Sequence, residues 1–188
     1  MDITTLEQKG YIKNLFPYSD QDLSIFKEVA SKISDKTVNQ RKNVFDHFPI
    51  IQELFKQAIK TLNLNLELTS YCFYIEKNSK RNWPLLFHRD INLPDYISID
   101  GNRETFLENA VMFRFTLDKT DKDTGALKVI EGSHKHTKEV KNDPIHFLET
   151  EPGEVILFKP LLMHGSNRIV QDHQRRVFQA LCVPSSTC

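Results

Sequence analysis

Apolar residues recur every three or four positions through the first sixty-odd residues, which is the period of amphipathic helices. One helix is predicted to begin after Ser19, whose hydroxyl can cap the first turn while Asp22 completes a capping box. A second helix is predicted from about Pro49 to Asn63. Their apolar faces comprise Leu23, Phe26, Val29, Ala30 and Ile33, and Ile50, Ile51, Leu54, Phe55, Ala58, Ile59 and Leu62. Both helices are expected to face the core.

Beyond residue 65 the pattern changes to short segments rich in β-branched and aromatic residues. Turn-forming residues separate these segments, and His164-Gly165-Ser166 is among the predicted turns. The predicted strands span 66–75, 110–117, 127–130, 155–158 and 177–183. Short strands with turns and no helices between them indicate an antiparallel sandwich or barrel. One domain is expected over 1–188, with a helical part to about 65 and a β core over about 66–184.

Charge and composition limit the classes of partner. The 188 residues include 25 Lys plus Arg and 25 Asp plus Glu, so the formal net charge is zero. Nucleic-acid and membrane-surface proteins usually carry basic excess, so a small-molecule substrate is the expected partner. Three cysteines without a CxxC pair do not suggest a disulfide framework or a zinc ribbon. With no signal-peptide pattern and no long apolar run, a cytoplasmic location is expected. Nothing in the sequence indicates the oligomeric state.

The segment His88-Arg89-Asp90 carries the sharpest chemical signal. In an extended segment, residues two apart point to the same side, so His88 and Asp90 can face one ion while Arg89 points away. His164, beyond the predicted strand 155–158, is the best candidate for a third ligand. Two His and one carboxylate form the ligand set of non-haem Fe(II) oxygenases, with positions left open for a cosubstrate and O2. Any single one of the seven histidines is more commonly a surface or structural residue.

Two adjacent arginines follow this ligand set in the chain. Arg175 lies in a predicted strand, from which its guanidinium could return to the metal cavity and bind a carboxylate with two hydrogen bonds. Ser166 could add a hydroxyl to the same carboxylate. The alternative is that Arg175 and Arg176 are a solvated pair on an edge strand, and in isolation that interpretation is favoured.

These motifs, taken in order, resemble the phytanoyl-CoA dioxygenase family. The resemblance is carried by His88-Arg89-Asp90, the run from Asp123 to His134, Pro152-Gly153-Glu154, Met163 to Ser166, Arg175-Arg176, and the opening Leu6 to Ile12. The last resembles the N-terminal strand of the family, which leads into a helix. The family comprises Fe(II)- and 2-oxoglutarate-dependent oxygenases built on a double-stranded β-helix. The resemblance implies a mainly β fold with flanking helices, in which N-terminal helices pack on one sheet of a cupin-like jelly roll.

Carried over position by position, the resemblance implies His88, Asp90 and His164 as iron ligands. It implies that Arg175, assisted by Ser166, binds the distal carboxylate of 2-oxoglutarate, with Arg176 as the alternative if the loop differs by one residue. Two further residues complete the expected cosubstrate site. They are Thr116 and Tyr74, although aromatic core packing is the default for the latter. His134 matches a family feature that is interpreted as structural.

The central strand departs from the family at Arg114, where members often carry Trp. If Arg114 points inward with Thr116, it places a cation where an acidic substrate group could bind; an outward-facing arginine is an equal alternative. Trp83 and Tyr96 are also expected to contact the substrate, with core packing again the default for Trp83. The segment 91–108 is expected to form a lid or substrate loop.

The expected activity is hydroxylation of a small polar metabolite, such as an amino acid or a natural-product intermediate, with release of succinate and CO2. Fe(II), 2-oxoglutarate and O2 are the implied cofactors. Asp90 favours hydroxylation over halogenation, because related halogenases carry Gly or Ala there; desaturation and ring formation stay open. The competing interpretations are a non-catalytic jelly-roll protein that binds a metal or small ligand, and a cupin enzyme with another metal. Cupins usually bind metal through three or more His.

Overall fold

Two antiparallel sheets form the centre of the protein. The computed structural model describes residues 3–97, 99, 101–135, 143–170 and 172–185. Its strands are β1 (Tyr11–Leu15), β2 (Leu66–Lys77), β3 (Leu85–His88), β4 (Val111–Thr116), β5 (Leu127–Ile130), β6 (Ile145–Leu148), β7 (Val155–Phe158), β8 (His164–Ser166) and β9 (Arg175–Pro184). One sheet has the order β1-β7-β4-β9-β2 and the other β3-β8-β5-β6. From β2 onward the chain moves repeatedly between the sheets, so the predicted jelly roll is confirmed.

N-terminal helices cover the outer face of the five-stranded sheet. They are α1 (Ile3–Lys9), α2 (Asp20–Ile33), α3 (Val38–Lys42), α4 (Val44–His47) and α5 (Pro49–Thr61). A further helix, α6 (Arg103–Asn109), packs Leu107 on the inner cluster instead, and a short 3-10 helix lies at Ser133–Lys135. The predicted capping box at Ser19 is present, and Pro49 opens α5. Phe26 of α2 lies against Phe115 of β4, with 4.2 Å between ring centroids. Within the described residues, no helix has the length and apolarity that a membrane span requires.

Three local predictions were wrong. The helical period predicted no strand before residue 65, yet β1 forms there by pairing with β7 at the sheet edge. The strand that the family resemblance indicated over Leu6 to Ile12 begins only at Tyr11, because α1 occupies Ile3–Lys9. The predicted turn at His164–Ser166 is instead β8, which pairs with both β3 and β5. A Cβ atom at Gly165 would lie 2.5 Å from the Leu85 carbonyl oxygen, so this glycine permits close strand approach rather than a turn. The β region also contains α6, although no helix was expected there.

The two faces of the five-stranded sheet have different chemistry. On β4, Val111, Phe113 and Phe115 pack against the helices, and Met112 faces an apolar cluster between the sheets. Strand alternation puts Arg114 and Thr116 on the inner face with Met112. The inner face is therefore apolar at one end of β4 and polar at the other.

Candidate metal centre and cosubstrate site

The metal-ligand candidates converge at one end of the space between the sheets. His88 ends β3 and pairs with His164, which begins β8. Asp90 follows directly, and its backbone N–H donates to the Pro160 carbonyl oxygen at 2.9 Å. The carboxylate lies 3.3 Å from Nε2 of His88 and 3.5 Å from Nε2 of His164. One ligand atom from each residue lies within 4.8 Å of the others, so the three could hold one ion.

Both imidazoles are oriented for metal binding. Nδ1 of His88 lies 2.9 Å from the Leu86 carbonyl oxygen, and Nδ1 of His164 lies 2.7 Å from that of Leu162. Because a carbonyl oxygen only accepts, each Nδ1 carries the hydrogen and each Nε2 lone pair is left for an ion. Burial lowers the pKa of His164, which favours the neutral ligand form, whereas the hydrogen bond with Asp90 raises the pKa of His88. This donor set fits Fe(II).

Arg89 points away from the ligands, as its place between them predicts. Its Nε donates to the Leu161 carbonyl oxygen at 2.9 Å and its Nη2 to that of Ser133 at 3.1 Å. The Ser133 hydroxyl in turn accepts from the Met163 backbone N–H at 2.9 Å. These bonds tie the HxD segment to the connection that leads into His164.

His134 lies beside the N-terminal helix rather than in the metal centre. Its Nε2 lies 3.1 Å from the Glu7 carbonyl oxygen, and burial lowers its pKa. This position agrees with a structural role. His136, in the same histidine-rich stretch, lies outside the described residues.

The adjacent arginines point to opposite faces of β9. Arg175 is 2% exposed; its Nη1 donates to the Gly125 carbonyl oxygen at 2.7 Å, while its Nε is buried and has no partner among the described residues. Burial lowers its pKa to about 10. Arg176 instead forms two bonds to Asp118, from Nε at 3.0 Å and from Nη2 at 2.6 Å. Only Arg175 turns into the protein interior.

Lys77 is a residue of this interior that sequence reasoning missed. It is buried at the end of β2 and pairs in register with Arg175. Its Nζ donates to the Ser166 hydroxyl at 2.9 Å and to the Asn167 carbonyl oxygen at 2.8 Å. The predicted strand ended at Ile75. Had it been extended by two residues, the alternation of side chains would have placed Lys77 on the same inner face as Ile75.

Arg114 points inward, so the outward-facing alternative is wrong. It is 4% exposed, and its Nη1 donates to Oε1 of Gln179 at 3.0 Å. Burial and the positive charge of Arg175 lower its pKa, while the Asp90 carboxylate opposes that shift. Arg114 is therefore electrostatically coupled to both the metal-ligand end and the Arg175 end. Thr116 is buried two residues further along the same face.

Tyr74 does not line the site. It lies in the core between the sheet and the helices, with its ring 5.0 Å from that of Phe178 and its hydroxyl 3.5 Å from Glu76. Strand alternation turns Tyr71 the other way, toward the inner cluster. Burial and the nearby Asp90 charge raise the pKa of Tyr71. The tyrosine that faces the interior near Asp90 is thus Tyr71, on the opposite face of β2 from Tyr74.

The two predicted substrate contacts lie nearer the surface. Trp83 is 42% exposed in the connection between β2 and β3. Tyr96 is 47% exposed; its hydroxyl donates to the Lys42 carbonyl oxygen at 3.3 Å, and its ring lies 6.5 Å from Tyr71. Within the expected lid, whose residues 98 and 100 lie outside the described part, Leu93 and Ile97 are buried in the inner cluster.

Comparison with known proteins agrees with this geometry. The family model described as Phytanoyl-CoA dioxygenase (PhyH) matches residues 11–177. The dioxygenase swnH1 of Arthroderma benhamiae is 34% identical over 94 residues, which is 48% of this chain and 31% of that protein. The chain thus spans about a third of the length of this curated relative.

Solved structures show the same fold at low sequence identity. HygX from Streptomyces hygroscopicus, with nickel and 2-oxoglutarate bound, superposes with a TM-score of 0.73 at 14% identity, covering 98% of this chain and 86% of that one. SnoK, a non-heme alpha ketoglutarate dependent carbocyclase from nogalamycin biosynthesis, gives 0.72 at 14% identity, with the same coverage of 98% and 86%.

Proposed function

Because the chain belongs to the phytanoyl-CoA dioxygenase family, we propose that it is an Fe(II)- and 2-oxoglutarate-dependent oxygenase that hydroxylates a small metabolite carrying an acidic group. One observation carries the proposal. His88, Asp90 and His164 bring their ligand atoms within 4.8 Å of one another, and the same interior holds the buried Arg175, whose Nε has no partner among the described residues. Neither a surface ion pair nor a packing role accounts for both features.

Two imidazoles and one carboxylate of this chain would hold the iron. They come from His88, Asp90 and His164, with each Nε2 facing the carboxylate. When bound, Fe(II) with 2-oxoglutarate and O2 supplies the oxidising chemistry, in which the cosubstrate becomes succinate and CO2 and the substrate gains an oxygen atom. The residues of the chain hold and orient the reactants, and the sheets exclude water from them.

Arg175 and Ser166 would hold the distal carboxylate of 2-oxoglutarate. A buried guanidinium with an unpaired Nε is costly in an apolar interior, and a bound carboxylate would offset that cost. A planar guanidinium can also donate two parallel hydrogen bonds to one carboxylate. Thr116, buried on the same inner face, would border the cosubstrate.

Arg114 is the basis for proposing an acidic substrate. The cosubstrate brings two carboxylates, one assigned to Arg175 and the other to the metal end. Among the residues that the structure describes, that leaves the Arg114 guanidinium with the neutral amide of Gln179 as its hydrogen-bond partner. A carboxylate or similar anion on the substrate would balance the remaining charge, and an amino acid carries such a group. Tyr71 and Tyr96 would flank it.

The test is substrate-triggered succinate formation. We expect the Fe(II)-loaded protein, supplied with 2-oxoglutarate in air, to release succinate when the right amino acid or other small carboxylic acid is added, and a true substrate to yield a product heavier by one oxygen atom. Methyl esters or amides of the same compounds are the matched controls and should be poor substrates. Turnover that favours neutral compounds would contradict the acidic-substrate proposal. A product of ring closure or desaturation would contradict hydroxylation.

A further inference from the structure

We propose that Lys77 is a second cationic ligand for the distal carboxylate of 2-oxoglutarate, and that it takes up a proton when the cosubstrate binds. This inference rests on the proposed oxygenase function and adds to it a residue and a proton-coupled step. Neither the HxD motif nor the arginine pair indicates such a lysine.

The position of Lys77 supports a direct contact with the cosubstrate. It stands opposite Arg175 in the β2–β9 register, and both side chains are buried. Its Nζ donates to the hydroxyl of Ser166, which is the second group assigned to the distal carboxylate. Lys77, Arg175 and Ser166 therefore surround one small volume. Two hydrogens of the ammonium are directed at Ser166 and Asn167, and the third can be donated to a carboxylate oxygen.

The charges that face Lys77 make its protonation sensitive to an anion. Arg175 on β9, Arg114 on β4 and Lys128 on β5 all act on it as cations, and its neighbours at the end of β8 are neutral. Burial, followed by these three cations, lowers the pKa of Lys77 to about 7. Among the described residues, no carboxylate contributes to this shift. A bound carboxylate favours the charged lysine, so its pKa rises on binding.

Protonation of Lys77 and binding of 2-oxoglutarate favour each other. Because the pKa is higher in the bound state, binding consumes a proton above about pH 7, and affinity falls as pH rises. If only the ammonium form binds well, the Kd for 2-oxoglutarate rises up to about tenfold per pH unit between the free and bound pKa values. A lysine that merely holds the Asn167 turn in place would produce no such linkage.

Calorimetric titration of the full chain tests this inference. The protein is loaded with Mn(II), so that no oxidation occurs and metal occupies the histidines, and 2-oxoglutarate is titrated from pH 6.5 to 8.5. Buffers with different ionisation enthalpies report the number of protons taken up. We expect little uptake at pH 6.5 and nearly one proton at pH 8.5. Lys77→Met should abolish the uptake, flatten the pH profile and weaken binding about tenfold at pH 7.

A second variant keeps the test decisive. Lys77→Arg stays charged throughout this range, so it should also lose proton uptake, and it serves if the Met variant fails to fold by circular dichroism. Proton uptake that persists in either folded variant would overturn the inference. If wild-type protein does not bind 2-oxoglutarate at all, the proposed oxygenase function fails instead, and the two failures are thereby distinguished.

Discussion

The adjacent arginines of β9 offer a matched pair of substitutions with opposite expected effects. Arg175→Met removes a buried cation whose Nε is unpaired, and Arg176→Met removes a cation bound twice to Asp118. Met approximates the length of the arginine stem in both cases. Arg175→Met should weaken 2-oxoglutarate binding and leave the folded state at least as stable as before. Arg176→Met should destabilise the folded state and leave 2-oxoglutarate binding unchanged.

The magnitudes follow from the bonds that each arginine makes. Two charge-assisted hydrogen bonds to a carboxylate are worth about 3–4 kcal/mol, so Arg175→Met should raise the Kd for 2-oxoglutarate by about 10²–10³-fold. Without cosubstrate, removal of the unpaired cation outweighs the lost bond to Gly125, and the free energy of unfolding should stay level or rise by about 1–2 kcal/mol. Arg176→Met should lower the free energy of unfolding by about 1–3 kcal/mol, because the mostly buried Asp118 loses both side-chain bonds and keeps only the backbone N–H of residue 176.

Two assays read these effects separately. Urea unfolding of the metal-free variants gives the stability difference, and titration of 2-oxoglutarate into Mn(II)-loaded protein gives the Kd. If Arg175→Met still bound 2-oxoglutarate tightly, or if Arg176→Met lost most of its affinity for 2-oxoglutarate, the assignment of Arg175 to the cosubstrate would be refuted. A strong loss of stability in Arg175→Met would show that its role is structural.

Three further substitutions test how the site is built. Gly165→Ala should weaken Co(II) binding at least about tenfold, because its Cβ would meet the Leu85 carbonyl oxygen at 2.5 Å and force β3 from β8. Gly101→Ala is the control: its φ of 87° makes the substitution strained, but its Cβ meets no atom within 4 Å, so Co(II) affinity should stay unchanged. Arg89→Ala should lower Co(II) affinity by about 10–100-fold, since it frees the HxD segment from the Leu161 carbonyl; an unchanged Kd would remove its positioning role. Arg114→Met should raise the KM for the acidic substrate and change the Kd for 2-oxoglutarate by less than about threefold. A large rise in the Kd for 2-oxoglutarate with an unchanged KM would instead assign Arg114 to the cosubstrate.

The elements with strong periodicity were predictable from the sequence. The helices α2 and α5 each have a continuous apolar face. Ser19 caps α2, as a serine followed three residues later by Asp22 predicts. The edge strand β1 was not predictable from periodicity, because its five residues include Asn14 at φ 64° and depend on pairing with β7; only the family resemblance indicated a strand near it. Local sequence shows nothing of a partner that lies more than a hundred residues away.

Some residues of the site were also predictable from local sequence, whereas others depend on contacts with distant strands. The HxD spacing fixes the relative directions of His88 and Asp90, and ordered motifs indicate His164. The direction of Tyr74 could not be read, because both faces of β2 carry aromatic residues, Tyr71 on the inner face and Tyr74 on the helix-covered face, so hydrophobicity does not tell the faces apart. Lys77 was missed because its proposed role depends on residues from other strands, namely the cations that lower its pKa and the Ser166 hydroxyl that it contacts.

The central claim is that His88, Asp90 and His164 form an iron site that accepts 2-oxoglutarate. Anaerobic addition of Fe(II) and then 2-oxoglutarate tests it most directly, because the ternary complex has a weak visible charge-transfer band. Wild-type protein should develop the band, and a His136→Ala control should match it, whereas Asp90→Ala should lose it while remaining folded. Absence of the band in folded, metal-loaded wild-type protein, or its full retention in Asp90→Ala, would contradict the claim.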